Sequence, residues 1–262
     1  MAPSPKRISG FWVSLVSVTG LYLFFLLAML VATASYSTPG DLWKTLNSPE
    51  IRYSIGLSLA TCTATSLLSL LVAVPIGYLL ARAKFRGKEL VDSLIDIPIV
   101  LPPMVMGLCL LIFFQSPLGK LIEQGVTFTY TVAGVVLAQF VIGSAFAIRT
   151  MRGTFDHLSS RPEDVAMTLG CTRGQAVWLV TLPAARRGMF AAASVAWARS
   201  LGEFGPILVF AGATRMKTEV LPTTVWLELS VGNLEAAVAV SILMVVMAVI
   251  VLVAVRLAGE RV

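Results

Sequence analysis

Two ionisable residues, Arg199 and Glu203, lie inside a stretch of the chain that is otherwise apolar enough to cross a membrane. A charge near the centre of a bilayer costs at least about 2.5 kcal/mol on insertion scales, so such residues pair or face a polar cavity. Four residues apart on one helix, they could bond each other. They are either a buried pair that fixes helix packing or part of a gate, and intramembrane charge favours the gate. Ser200 and Phe204 would belong to the same gate.

A row of small hydroxyl residues marks another apolar stretch, at about residues 53–80. Their spacing places them on one face of a helix: Ser58, Thr61, Thr65 and Ser69. Such a face could line a polar pathway. Small hydroxyl residues also pack membrane helices closely and bond their own backbone, and this interpretation is favoured. Ser58, Thr61 and Thr65 are kept as candidate pathway residues.

Three prolines, Pro98, Pro102 and Pro103, interrupt a third apolar stretch at about residues 94–114. Proline removes a backbone donor and kinks a helix, and in a membrane the freed carbonyls need partners. Discontinuous helices often border the substrate pathway of a transporter. A packed kink without solute contact is the alternative. Pro102 and Pro103 are therefore candidate pathway residues.

The sequence carries no catalytic or nucleotide-binding motif. The patterns GxxxxGK[ST], HExxH and GxSxG do not occur, so ATP cannot bind through a phosphate loop and no common hydrolase site is present. Cys62, Cys109 and Cys171 are isolated and His157 is the single histidine, which leaves neither a disulfide framework nor an evident metal site. We expect no enzyme activity and no cofactor in this chain.

The composition is that of a polytopic membrane protein. Of the 262 residues, 57% are hydrophobic and 13% charged, with a mean hydropathy of +0.86, whereas globular domains carry about 25% charged residues. The net charge of +6 is dispersed among short loops without interleaved aromatic residues. We therefore expect lipid around the chain and no nucleic acid as a partner.

Six apolar runs are long enough to be transmembrane helices, since a span needs about 20 residues. They cover about residues 11–34, 53–80, 94–114, 131–148, 189–211 and 234–257. The first run ends in a small-residue cleavage pattern, Ala32-Thr33-Ala34, but is longer than the 7–15 residues of a signal peptide, so we expect it to be retained. Residues 1–52 would form a tail, the first span and an external loop, residues 53–257 one transmembrane domain, and residues 258–262 a tail.

The basic residues set the orientation of these spans. With both termini inside, 14 lysines and arginines lie in inner segments and 5 in outer segments, and Arg199 lies in the membrane. Cytoplasmic loops carry such an excess. The sequence therefore predicts a multi-pass protein of the cytoplasmic membrane with both termini in the cytoplasm.

The longest polar interval, residues 159–188, contains explicit helix signals. Two capping boxes, a first-turn proline, a helix-ending glycine and a closing Leu-Pro follow one another: Ser160 with Glu163, Pro162, Gly170, Thr172 with Gln175, and Leu182-Pro183. They predict a short helix, a tight turn and a second short helix that ends at Leu182-Pro183. A solvated loop with two capped helices is the simplest interpretation.

This interval resembles the cytoplasmic EAA loop of permease subunits of binding-protein-dependent ABC importers. Asp164-Val165-Ala166 stands for Glu-Ala-Ala, Gly170 for the following glycine, Val180 for the isoleucine, and Leu182-Pro183 for the closing pair. The resemblance implies an all-α, type I permease fold whose first short helix is a coupling helix on a separate ATPase subunit. Its coupling residues would be Glu163, Asp164, Val165, Ala166, Gly170, Leu182 and Pro183. It also implies two ATPase copies, a second permease copy in a homodimer and an external solute-binding protein.

A second resemblance concerns the substrate. Residues 198–205, ARSLGEFG, followed by Phe210-Ala211-Gly212, are similar to the fifth helix of permeases for tetrahedral oxyanions, molybdate and tungstate above all. The likeness extends over about residues 54–255 and includes Pro117-Leu118-Gly119. A sulfate or thiosulfate permease is the alternative. A secondary transporter driven by an ion gradient is more distant, because repeated halves are absent and such a protein needs no EAA-like loop.

Overall fold

The computed structural model describes residues 10–36 and 38–261, and all regular structure in those residues is helical. The helices in chain order are α1 (Gly10–Ser35), α2 (Pro39–Leu46), α3 (Pro49–Arg82), α4 (Lys88–Val100), α5 (Pro103–Gln115), α6 (Pro117–Glu123), α7 (Val132–His157), α8 (Arg161–Thr168), α9 (Arg173–Ala176), α10 (Leu182–Ala184), α11 (Arg186–Leu201), α12 (Gly205–Phe210), α13 (Leu221–Ser230) and α14 (Leu234–Arg261). A π-helical turn, Val177–Thr181, joins α9 to α10.

Four helices are long and apolar enough to cross a membrane, at Phe11–Ser35, Pro49–Arg82, Val132–His157 and Leu234–Val253. They coincide with the predicted first, second, fourth and sixth spans. α14 continues to Arg261, so residues 258–261 of the predicted C-terminal tail are helical. Lys6 and Arg7, which were predicted to lie inside, and Val262 lie outside the described residues.

The predicted third span is not one helix. α4 and α5 meet at an angle of 111°, and the break falls at Leu101 and Pro102, both with extended backbone angles. Pro102 and Pro103 each lack an N–H, and a residue before proline is pushed out of the helical region. Two consecutive prolines therefore end one helix and start another, which is the discontinuous helix that the sequence offered beside a packed kink.

The predicted fifth span is also interrupted. α11 ends at Leu201, residues 202–204 are non-helical, and α12 starts at Gly205. At 1.5 Å per residue, the 16 residues of α11 are only about 24 Å long. The described residues thus hold four long apolar helices, one bent pair and this interrupted segment.

The core lies where α3, α7 and α11 pack side by side. The backbones approach closely at Gly77 of α3, where an added Cβ would lie 2.8 Å from the Met151 side chain and 2.9 Å from the Arg152 nitrogen of α7. Small residues at such crossings let membrane helices pack by van der Waals contact. The three helices form the frame that holds the candidate site.

α3 spans the whole frame and contacts a different segment at each end. At its N-terminal end, the Ser58 hydroxyl accepts a hydrogen bond from the Leu221 amide at 2.8 Å. At its C-terminal end, Arg82 donates to the Leu158 carbonyl at 2.7 Å. The predicted external segment 212–233 and the EAA-like loop therefore lie at opposite ends of α3, as the proposed topology requires. The external segment is not only loop, since it contains α13, whose Leu221 is buried.

Candidate functional site: coupling loop and interrupted helices

The EAA-like loop begins with α8, whose first turn contains Pro162 as predicted. The predicted capping box at Ser160 and Glu163 is wrong, because Ser160 makes no side-chain cap and Glu163 turns into the protein. The Glu163 carboxylate accepts hydrogen bonds from the Tyr78 hydroxyl at 2.5 Å and the Thr181 hydroxyl at 3.0 Å. The Arg173 guanidinium lies 3.8 Å away. Hydrogen bonds to a charged group stabilise by about 1.5–3 kcal/mol each, whereas a helix cap contributes roughly 1 kcal/mol. Glu163 is therefore more stable bonded to Tyr78 and Thr181 than it would be as a cap.

α8 ends as the sequence predicts. Gly170 has a φ of +94°, and the Cys171 amide donates to the Ala166 carbonyl at 3.1 Å while the Gly170 amide donates to the Met167 carbonyl at 3.1 Å. These two bonds define a Schellman motif, which needs a left-handed residue at the glycine position. The tight turn is therefore fixed by backbone geometry.

The second part of the loop differs from the prediction at its end. The capping box at Thr172 and Gln175 is confirmed, with both reciprocal hydrogen bonds present. The predicted helix end at Leu182-Pro183 is wrong, because the chain continues through the π-helical turn into α10 and α11. Pro183 lies at the start of α10, directly after the π-helical turn.

The loop presents one face of α8 outward. Asp164, Val165 and Leu169 are exposed, the last by 81%, whereas Glu163 and Ala166 are buried. Leu182 is half-buried against the core, and Pro183 is exposed. The predicted coupling residues thus fall into an outward and an inward set. Leu169, which directly precedes the helix-ending Gly170 and is exposed, was not among the predicted coupling residues.

The charged pair lies at the interruption between α11 and α12. The Arg199 guanidinium contacts the Glu203 carboxylate at 2.7 Å and lies 5.6 Å from the centre of the Phe146 ring. The predicted contact is formed, but the two residues do not share one helix, because α11 ends between them. Glu203 is 1% exposed and the Arg199 side chain 33%. Phe204 faces the Trp226 ring, 6.4 Å away.

Gln139 of α7 was not identified from the sequence, and it connects three helices at this interruption. Its side-chain oxygen accepts from the Thr65 hydroxyl at 3.2 Å, and its nitrogen donates to the Ser200 carbonyl at 3.2 Å. Gln139 is 1% exposed. A lone glutamine in the apolar run of α7 was the available signal. Its bonds tie the end of α11 to α3.

The hydroxyl residues of α3 are used in packing within this chain. Ser58 accepts the Leu221 amide, Thr61 donates to the Ser58 carbonyl at 3.3 Å, and Thr65 contacts Gln139. All of them, with Ser69, are at most 2% exposed. Their position fits the favoured packing interpretation of the sequence, with no open lining formed in one chain.

The two interrupted segments pack against each other. An added Cβ at Gly205 would lie 3.0 Å from the Met104 nitrogen, and one at Gly107 would lie 2.7 Å from the Pro206 Cα. The N-terminal ends of α5 and α12 are therefore side by side, next to Pro103. The structure brings the proline break and the Arg199–Glu203 break, which are about 100 residues apart in the chain, into one region.

A separate group of charges lies at the N-terminal end of α3, opposite the EAA-like loop. A cavity of about 490 Å³ is lined by Lys44, Glu50, Arg215, Glu228 and Glu235, among others. Arg215 contacts Glu228 at 2.7 Å. Glu219 is fully buried nearby, and neither of its carboxylate oxygens has a hydrogen-bond partner among the described residues. Burial raises the pKa of the Glu219 carboxyl, with the Thr224 hydroxyl and Arg215 opposing that shift.

Relatives of this chain are transport permeases. The molybdenum transport system permease protein ModB of Mycobacterium bovis is 35% identical over 243 residues, 92% of this chain and 91% of that protein. The molybdate/tungstate transport system permease protein WtpB of Pyrococcus abyssi is 38% identical over 168 residues, 64% of each chain. The sulfate transport system permease protein CysT of Salmonella typhimurium is 29% identical over 248 residues, 92% of this chain and 90% of that protein.

The fold and the family agree with these relatives. A chain in the crystal structure of a bacterial alginate ABC transporter, in complex with an alginate pentasaccharide-bound periplasmic protein, matches with a TM-score of 0.77 at 16% identity. The match covers 98% of this chain and 96% of that chain, which shows a common fold. The model of the family described as "Binding-protein-dependent transport system inner membrane component" matches residues 73–262. The chain therefore belongs to the family of inner membrane components of binding-protein-dependent transport systems.

Proposed function

We propose that this chain is the permease subunit of an ATP-driven importer for a tetrahedral oxyanion, molybdate or tungstate. The observation that carries the proposal is the 35% identity to a molybdenum permease over 92% of the chain. The ARSLGEFG segment, read from the sequence as oxyanion-type, lies at the meeting point of the two interrupted helices. The sulfate permease is less similar, at 29% identity, and sulfate remains the second candidate substrate.

The region around Arg199 and Glu203 suits an anion that must enter and leave. A dianion needs water and oriented N–H and O–H donors, and a site that binds too strongly would prevent release. Here the cation predicted to lie within the fifth span, Arg199, contacts the Glu203 carboxylate at 2.7 Å, so its charge is largely compensated. The two interruptions contain or adjoin Ser200, Phe204, Pro102 and Pro103. The candidate pathway residues of α3 are buried in helix packing instead: Ser58, Thr61 and Thr65.

ATP hydrolysis would take place on a separate subunit that docks on the outward face of α8. The exposed Asp164, Val165 and Leu169 form a short surface with one charge and two apolar side chains, and Gly170 sets its edge. Two ATPase subunits, a second copy of this chain and an external solute-binding protein would complete the importer. α1 is exposed along its length, so lipid or a second copy would cover it in the membrane.

The proposed topology has six spans, with the bent pair α4–α5 and the interrupted pair α11–α12 each counted as one. Both termini would be cytoplasmic, because this orientation places most arginines and lysines inside. Reporter fusions after Lys88 and Arg187 should then report cytoplasm, and fusions near Lys120 and Lys217 the outside. An external Arg187 would place the EAA-like loop away from any ATPase and would exclude the topology.

Reconstitution tests the function directly. The permease, its ATPase and its binding protein are placed in proteoliposomes, and uptake of labelled molybdate is measured with and without ATP. We expect uptake that requires all three proteins and ATP, and that excess tungstate inhibits more strongly than excess sulfate. Stronger inhibition by sulfate would favour the sulfate alternative. Uptake by the permease alone under an ion gradient would identify a secondary transporter.

A further inference from the structure

Glu163 differs from its neighbour Asp164 in the direction it faces. Asp164 is exposed on α8. Glu163 is 5% exposed and accepts hydrogen bonds from the hydroxyls of Tyr78 and Thr181. A carboxylate that is buried and bonded inside its own chain is not available to an ATPase subunit. Glu163 therefore has an internal role, although its position in the motif suggests docking.

The Tyr78–Glu163 hydrogen bond joins α8 to α3 over 85 positions of sequence. The Tyr78 ring also packs edge-on against Phe155, with ring centres 5.5 Å apart. The ring is thus held by the core, and only its hydroxyl reaches α8. A movement of α8 would act on α3 through this hydroxyl and through the neighbouring Arg82–Leu158 bond.

The far end of α3 is bonded to the outer segment in a similar way. Ser58 accepts the Leu221 amide at 2.8 Å, and the Tyr53 hydroxyl donates to the Lys217 carbonyl at 3.1 Å. Ser58 and Tyr78 are 20 residues apart, which is about 30 Å along a helix. One continuous helix therefore connects the coupling loop to the start of α13.

We propose that Glu163 is a positioning residue, and that its bond to Tyr78 makes α3 the strut through which movement of α8 reaches the outer segment at residues 217–221. The inference rests on the proposed function, since it assumes an ATPase that moves α8. It assigns different roles to two adjacent acids: Asp164 contacts the partner, and Glu163 transmits the displacement.

The test uses the assembled importer in proteoliposomes. Tyr78→Phe removes the hydroxyl and keeps the ring against Phe155, and Glu163→Gln keeps an acceptor but removes the charge. Tyr22→Phe, on exposed α1, is the matched control for loss of a tyrosine hydroxyl. Three quantities are measured: assembly with the ATPase, ATP hydrolysis, and molybdate uptake per ATP hydrolysed.

We expect Tyr78→Phe to assemble normally and to lose about fivefold or more in uptake per ATP, the lower end of typical coupling factors. Glu163→Gln should show a smaller loss, and Tyr22→Phe none. Ser58→Ala should also reduce the ratio. The double variant Tyr78→Phe with Ser58→Ala should be no worse than the worse single variant, because both interrupt one strut.

Three results would overturn the inference. Unchanged uptake per ATP in Tyr78→Phe would show that the Tyr78–Glu163 hydrogen bond transmits no movement. A loss in the double variant equal to the product of the two single losses would show two independent effects. Loss of ATPase assembly in Tyr78→Phe would show that Glu163 only shapes the docking surface. Failure of the proposed function is distinguishable from these, because the wild-type complex itself would then show no ATP-dependent uptake.

Discussion

Substitution of the intramembrane pair separates a packing role from a pathway role. Removing one partner of a buried ion pair typically costs about 3–5 kcal/mol, whereas replacing both with apolar residues of similar size is often nearly neutral. The structure makes the two single variants unequal. Arg199→Met leaves the carboxylate of Glu203, which is 1% exposed, without its partner. We expect its cost to be at the upper part of that range.

Glu203→Leu should be milder. The Arg199 side chain is 33% exposed and lies 5.6 Å from the Phe146 ring centre, so its charge keeps water and an aromatic face. A cation–π contact of this kind contributes about 0.5–2 kcal/mol. We therefore expect a loss of about 1–3 kcal/mol, the usual cost of an unsatisfied polar group. Folded yield and melting temperature in detergent measure both variants.

Uptake by the double variant Arg199→Met with Glu203→Leu decides the role of the pair. A packing role predicts that both yield and molybdate uptake return. A pathway role predicts that yield returns and uptake, normalised to assembled complex, does not; this second outcome is the one we expect. Full uptake by the double variant would refute the pathway role. A larger stability loss for Glu203→Leu than for Arg199→Met would refute the argument from burial.

Two further variants test local features. Gly170→Val should cost about 1–2 kcal/mol of backbone strain at the φ of +94°, with no steric clash, since no atom lies within 4 Å of the added Cβ; uptake should fall more than yield, and normal uptake would exclude a coupling role for the turn. Glu219→Gln should raise the melting temperature at neutral pH. The folded-state pKa of Glu219 lies above its ordinary value of 4.5, so the protonated carboxyl stabilises the fold at low pH and that stability is lost as pH rises through the folded pKa. The melting temperatures at pH 5 and pH 8 should therefore differ less in Glu219→Gln than in the wild type; an equal difference would contradict a raised pKa for Glu219.

Hydropathy and basic flanks were sufficient to locate the uninterrupted helices. α1, α3, α7 and α14 each contain an apolar run whose length alone indicates a membrane span. The prolines indicated the first break but not its geometry, and the second break was not predicted, because both depend on tertiary packing. Pro102 and Pro103 indicate a kink, but the 111° angle arises with α5 packed on α12. The interruption after Leu201 has no proline before it, and the charged residues Arg199 and Glu203 beside it were interpreted as a gate, not as a helix end.

The same distinction between local and distant causes applies within the EAA-like loop. The capping box at Thr172 and the turn at Gly170 involve residues a few positions apart, and both were predicted. The capping box at Ser160 was wrong because Tyr78, far away in the chain, supplies a donor to Glu163. Gln139 was missed for a related reason, since its partners Thr65 and Ser200 lie on other helices.

These distant contacts converge on α3. Through Thr65 and Gln139 it is connected to the end of α11, through Ser58 to Leu221, and through Tyr78 to α8. The hydroxyls at these positions are all hydrogen-bonded, as close packing of membrane helices requires, because a buried hydroxyl without a partner costs free energy. Hydrogen bonds fix relative positions more specifically than apolar contact does. The pattern therefore favours a helix that moves with its three hydrogen-bonded neighbours as one body.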